Sequence, residues 1–134
     1  MTGKNDDFLN PRNGDCLGHL FLFHKKYVLG DETEYTERDF EHFEDMLTFL
    51  RETEEAIVAL PVFGYDHGQL RIQVGSYNDP WDSGQLGFIW ATKSDIMTWY
   101  QAAEWENRLA NEAAAVLVAE VEAYDAYING EDET

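Results

Sequence analysis

Between Tyr65 and Trp90 the chain gathers residue types that could do chemistry: His67 beside Asp66 in "GYDHGQ", and Asp79, Asp82 and Ser83 in "NDPWDSGQ". An imidazole with a neighbouring carboxylate can act as a general base, a serine can act as a nucleophile, and clustered carboxylates can hold a hard metal ion. His67, Asp79, Asp82 and Ser83 are therefore the candidate catalytic set of a small hydrolase-like or metal-dependent enzyme. The spacing argues against it. Trp81, not glycine, lies two residues before Ser83, so the nucleophile elbow G-x-S-x-G is missing. Adjacent residues on a turn often point apart, and no ligand spacing here is diagnostic of a metal. The structural reading of the stretch is stronger: Pro80 restricts Asp79 to extended backbone, and Trp81 is a large apolar anchor that pins the loop. No metal and no cofactor is expected.

The elements that would carry these residues follow from apolar periodicity. Leu17 to Tyr27 reads as a strand closing at Gly30, Ala56 to Phe63 as a buried strand, and Gln69 to Val74 as an alternating strand with Leu70, Ile72 and Val74 on one face. Leu86 to Ala91 is a fourth, and the eleven residues GSYNDPWDSGQ join the last two. Phe40, Phe43, Leu47 and Leu50 recur at helical spacing after Thr36 and Asp39, which resemble a capping box, so a helix is predicted from Glu37 to Glu52. A third region turns helical at Ser94, read as its N-cap, with a change of phase near Glu104 to Arg108. A stripe of Leu109, Ala113, Leu117, Val121, Tyr124 and Ile128 then runs to a stop at Gly130. The predicted fold class is α+β: a small antiparallel-rich sheet of about four strands against an acidic helix and one or two C-terminal helices, in the order β-α-β-β-β-α-α. It is read as a single domain over residues 1–134, with an irregular lead-in at 1–15 and a frayed tail at 131–134.

Charge is the unusual property. There are 27 Asp and Glu against 9 Lys and Arg, a net charge of −18, in a chain that is nonetheless 44% apolar and rich enough in aromatics to build a core. A compact chain of this length is roughly 35 Å across, and that length of duplex DNA carries about 20 charges. Such a field repels nucleic acid and anionic lipid and attracts a basic groove. Glycine-rich phosphate loops and basic-aromatic patches are missing, so a nucleotide enzyme or a direct nucleic-acid binder has no support in the sequence. Cys16 has no partner within the chain, and the N-terminus has no apolar leader, so the cytoplasm is the expected compartment. The densest acids, Asp31, Glu32, Glu34, Glu37, Asp39, Glu41, Glu44, Asp45 and Glu52, are the candidate partner-binding residues. Along a continuous helix, Glu37 with Glu41 and Glu41 with Asp45 would repel at i,i+4, costing a few tenths of a kcal/mol each.

Several word-like stretches carry a resemblance: "NPR" at Asn10 to Arg12, "HKKYVLGD" at His24 to Asp31, "YDHG" at Tyr65 to Gly68, "PWDSGQLGFI" at Pro80 to Ile89 and "EVEAYDAYINGE" near the end. In these the chain resembles a family of small acidic proteins carried by bacteriophages, plasmids and other mobile elements. The resemblance implies no activity. It does imply a setting of host takeover or counter-defence, the setting of anti-CRISPR and anti-restriction proteins, among which acidic DNA mimics are common. The expected function is thus an inhibitor whose acidic surface occupies the basic nucleic-acid groove of a host defence protein or ribonucleoprotein complex. It would act as a monomer or dimer, without contacting nucleic acid or membrane.

Overall fold

Alternation of side chains along the strands decides the architecture. The computed structural model describes residues 10–66, 68–76 and 83–130. Its four strands are β1 (His19–Leu22), β2 (Ala56–Asp66), β3 (Leu70–Val74) and β4 (Ser83–Thr92), paired antiparallel throughout in the order β1-β4-β2-β3. The helices are α1 (Phe43–Glu52), α2 (Lys93–Tyr100) and α3 (Asn107–Ile128), so the predicted α+β class and element order are observed. Successive residues of a strand face opposite sides. Leu20, Leu22, Val62, Ile72, Ile89 and Ala91 accordingly meet α3 through Leu109, Ala113, Leu117 and Val121, with Ile96 of α2 joining them. Phe88 and Trp90 share a second cluster with Met46 and Leu50 of α1. The sheet thus carries an aliphatic core on one face and an aromatic one on the other.

The strands come together closely at Gly87, which pairs with Leu22 on one side and Val62 on the other. A Cβ there would collide with the Phe21 carbonyl, so only glycine lets β1 approach β4. A register shift follows at once, between Val62 and Phe63. Such a bulge increases local twist.

Several predicted boundaries move, each for a physical reason. The strand predicted over Leu17 to Tyr27 is confined to His19–Leu22. The Leu17 and Gly18 N–H groups are taken by the Glu120 carboxylate at 2.6 and 3.0 Å, and His24 turns the chain by accepting the Lys26 N–H at Nδ1, 3.0 Å away. The strands at 56–63 and 86–91 extend to Ala56–Asp66 and Ser83–Thr92, because the β2–β4 ladder continues to Tyr65 and Ser83 and shortens the connection after β3. The N-cap of α2 is Thr92, not Ser94: the Thr92 hydroxyl accepts the Asp95 N–H and Asp95 accepts the Thr92 N–H, each at 3.0 Å. The break near Glu104 is real, and it follows Gln101 in left-handed conformation at φ 54°. Gly130, at φ 73°, sits just past the end of α3 as predicted.

The largest change concerns the acidic helix. Glu37–Asp39 is a single 3₁₀ turn, Phe40 and His42 are extended, and the α-helix starts only at Phe43. Thr36 and Asp39 do form the expected capping box, but around the short turn. A second start is built at His42, whose N–H goes to Asp45 at 3.1 Å. The interruption removes the i,i+4 stacking of Glu37, Glu41 and Asp45, so the repulsion expected along a continuous helix is not present.

Candidate functional site

Residues 31–55 hold eleven carboxylates and two arginines, a net of −9, or half the molecular charge in under a fifth of the chain. Their aromatic side chains face the other way. Tyr35 lies against Phe21, Phe40 and Phe49 with centroids 6.3, 6.2 and 5.0 Å away, and Phe40 meets Phe49 at 5.3 Å. Phe43 reaches Phe88 of β4 at 6.4 Å. Each such pair contributes about 0.5–1.5 kcal/mol beyond its burial, against a few tenths for a like-charge surface pair. The aromatic contacts therefore win, and they hold the acidic segment on the sheet.

Of the nine residues predicted to bind a partner, Glu32, Glu34, Glu37, Asp39, Glu41, Glu44, Asp45 and Glu52 are exposed on this surface. Two of them also work within the chain, since Asp39 accepts the Thr36 N–H at 2.7 Å and Asp45 caps α1. Asp31 is different. It grips Arg12, whose Nε and Nη2 donate to its two oxygens at 2.9 and 3.0 Å, and it accepts the Leu20 N–H at 2.8 Å. Sequence reasoning missed Glu55, which is exposed beside Glu52 at φ 63°. It continues the same acidic run and was visible in "RETEE".

The Arg12 clamp was also missed, although both halves of it, "NPR" and "LGD", stand out in the chain. The Arg12 side chain is only 4% exposed, lies between Asp31 and Glu120, and donates to the Gly18 carbonyl at 2.7 Å. Burial alone would lower its pKa, yet the Asp31 hydrogen bonds and charge outweigh that and hold it above the ordinary arginine value. Gly30, at φ 79°, brings Asp31 into place, and its N–H donates to the Tyr124 hydroxyl at 3.0 Å. A second ion pair secures the sheet edge: Asp125 accepts from Arg71 Nη2 at 2.6 Å and from the Ile72 N–H at 2.8 Å. In so acidic a chain the signal was the scarcity of cations, because each one has many possible partners.

The predicted catalytic set cannot be assembled from the described residues. His67, Asp79, Asp82 and the loop anchor Trp81 lie outside them, and Ser83 enters only as the first residue of β4. Among the described residues no group of three His, Cys, Asp or Glu converges as a metal site. A different His–carboxylate pair does form: His19 Nε2 lies 2.8 Å from Asp95 Oδ2, and its ring stacks on Trp90 at 4.4 Å. Partial burial would raise the Asp95 pKa, but the Thr92 N–H and His19 bring it below the usual carboxylate value. That carboxylate is committed to capping α2, so the pair joins helix to sheet. No helix among the described residues is long and apolar enough to cross a membrane.

Two grooves border the acidic surface. The larger, about 540 Å³, is lined by Phe23, Tyr27 and Tyr35 with Glu32 and Glu37. A smaller one of about 190 Å³ is lined by Phe40, Phe43 and Met46 with Glu41, and it shares Phe23 and Glu37 with the first. The chain matches none of the family models, curated proteins or solved structures with which it was compared.

Proposed function

We infer that this protein is an inhibitor that places its acidic face in the basic nucleic-acid groove of another protein, in the setting of mobile-element counter-defence. The observation that carries the reading is the arrangement of residues 31–55: apart from Asp31, which is paired with Arg12, and the half-buried Glu54, the carboxylates are exposed, and the aromatic rings beneath them pack on one another and on the sheet. Charges preorganised in this way bind a basic cleft without first being ordered, so less of the attraction is lost to entropy. The candidate partners are a CRISPR effector with its guide or a restriction endonuclease.

The test is displacement. Each target is loaded with labelled DNA, the full chain is titrated in, and bound DNA is read by gel shift. Wild-type protein releases the DNA. Reversal of Glu34, Glu44, Glu52 and Glu55 to lysine, all exposed and none a cap, lowers the net charge from −18 to −10 and raises the concentration needed by about tenfold or more. An equal reversal at Asp15, Glu104, Glu112 and Glu122 has a much smaller effect. Equal loss from both sets, or no displacement by wild-type protein from either class of target, contradicts the reading.

A further inference from the structure

The two grooves meet where Phe23 forms their common wall and Glu37 their common rim. The half-buried Tyr35 lines the larger groove and the half-buried Phe40 the smaller, so each leaves part of its side chain toward a groove while packing on Phe49, and Glu41 adds a second exposed carboxylate. Aromatic faces next to carboxylates suit one side chain above others. Guanidinium is planar, weakly hydrated and always charged; it stacks on rings and pairs with carboxylate oxygens two at a time. Ammonium is compact and strongly hydrated, and gains less from an aromatic wall. Phosphate, nucleic acid and acidic peptides are repelled here by the surrounding −9. The larger groove is not lined by acidic segments alone, because Lys25 and Lys26 are exposed next to its lining residue Tyr27 in sequence. A basic ligand is therefore directed toward Glu37 and Glu41.

We propose that this junction is a docking site for an arginine side chain of the partner protein, its stem along Phe23 and its guanidinium against Glu37 and Glu41. The site rests on the inhibitor reading for its partner, and it adds a local, shape-dependent contact to a field that is otherwise non-specific. A basic nucleic-acid groove with its nucleic acid removed offers arginines of this kind.

Three labelled decapeptides of one sequence test it by fluorescence anisotropy, each with one leucine and with arginine, lysine or citrulline at the same two positions. The arginine peptide binds the full chain about tenfold more tightly than the lysine peptide, and the citrulline peptide does not bind measurably. Glu37→Gln with Glu41→Gln weakens the arginine peptide by about tenfold, whereas Glu52→Gln with Glu55→Gln, which removes the same charge, changes it less than about twofold. Circular dichroism and melting confirm that both variants are folded. Equal binding of arginine and lysine peptides, equal loss from the two double variants, or no binding of the arginine peptide overturns the site. Such a result leaves the inhibitor reading standing if wild-type protein still displaces DNA. Peptide binding by a protein that displaces no DNA supports the site and removes the inhibitor reading.

Discussion

At the scale of single residues, the molecule separates carboxylates that hold the fold from carboxylates that face out. Asp31, Glu120 and Asp125 accept from arginine side chains and from backbone N–H groups, while Glu32, Glu34 and Glu44 are exposed. Arg12 is the sharpest case, because removing it leaves two carboxylates beside one another with their charge uncompensated. Arg12→Met should lower unfolding free energy by about 3–5 kcal/mol in urea denaturation. A loss under about 1 kcal/mol would show that the clamp is loose. None of this division was legible from composition: the sequence treats Asp31 and Glu32 alike, and only the turn at Gly30 directs one inward. The acidity of the outer surface was legible, because a run of eleven acids in 25 residues cannot all find partners among nine cations.

At the scale of elements, periodicity was readable wherever one face packs on a continuous neighbour. The stripe from Leu109 to Tyr124 is buried along α3 as expected, and Leu70, Ile72 and Val74 share a face of β3 in contact with the aliphatic core. It failed where a tertiary contact redirects the backbone. Phe40, Phe43 and Leu47 keep helical spacing across a segment that is extended at Phe40 and His42, since Phe40 packs on Tyr35 and Phe49 while Phe43 turns to Phe88. The enzyme reading drew on His67, Asp79, Asp82 and Ser83, of which only Ser83, at the start of β4, is among the described residues. The junction of strands gives a test of its own. Gly87→Ala forces β1 away from β4, and since the obstacle is backbone rather than a rotatable side chain, the cost should reach roughly 1–3 kcal/mol or more. Near-UV circular dichroism should fall with it, because Trp90 packs between His19 and Phe21 of β1. Unchanged melting and an unchanged spectrum would mean that β1 is not held at this register.

At the scale of the whole molecule, net charge and its placement give different expectations. A uniformly acidic protein would attract a basic partner from any side, and moving four charges would matter little wherever they sat. Here half the charge lies on one aromatic-backed segment, so binding should depend on that segment and on ionic strength together. The most direct measurement is the dissociation constant for a target from which the protein displaces DNA, taken from about 50 to 200 mM salt, for wild type and for the Glu34, Glu44, Glu52 and Glu55 reversal to lysine. Wild-type affinity should fall by about tenfold or more across that range, and the reversed protein should bind more weakly with a visibly flatter slope. Affinity that is independent of salt, or an identical slope for both proteins, would contradict the claim that this acidic face occupies a nucleic-acid groove.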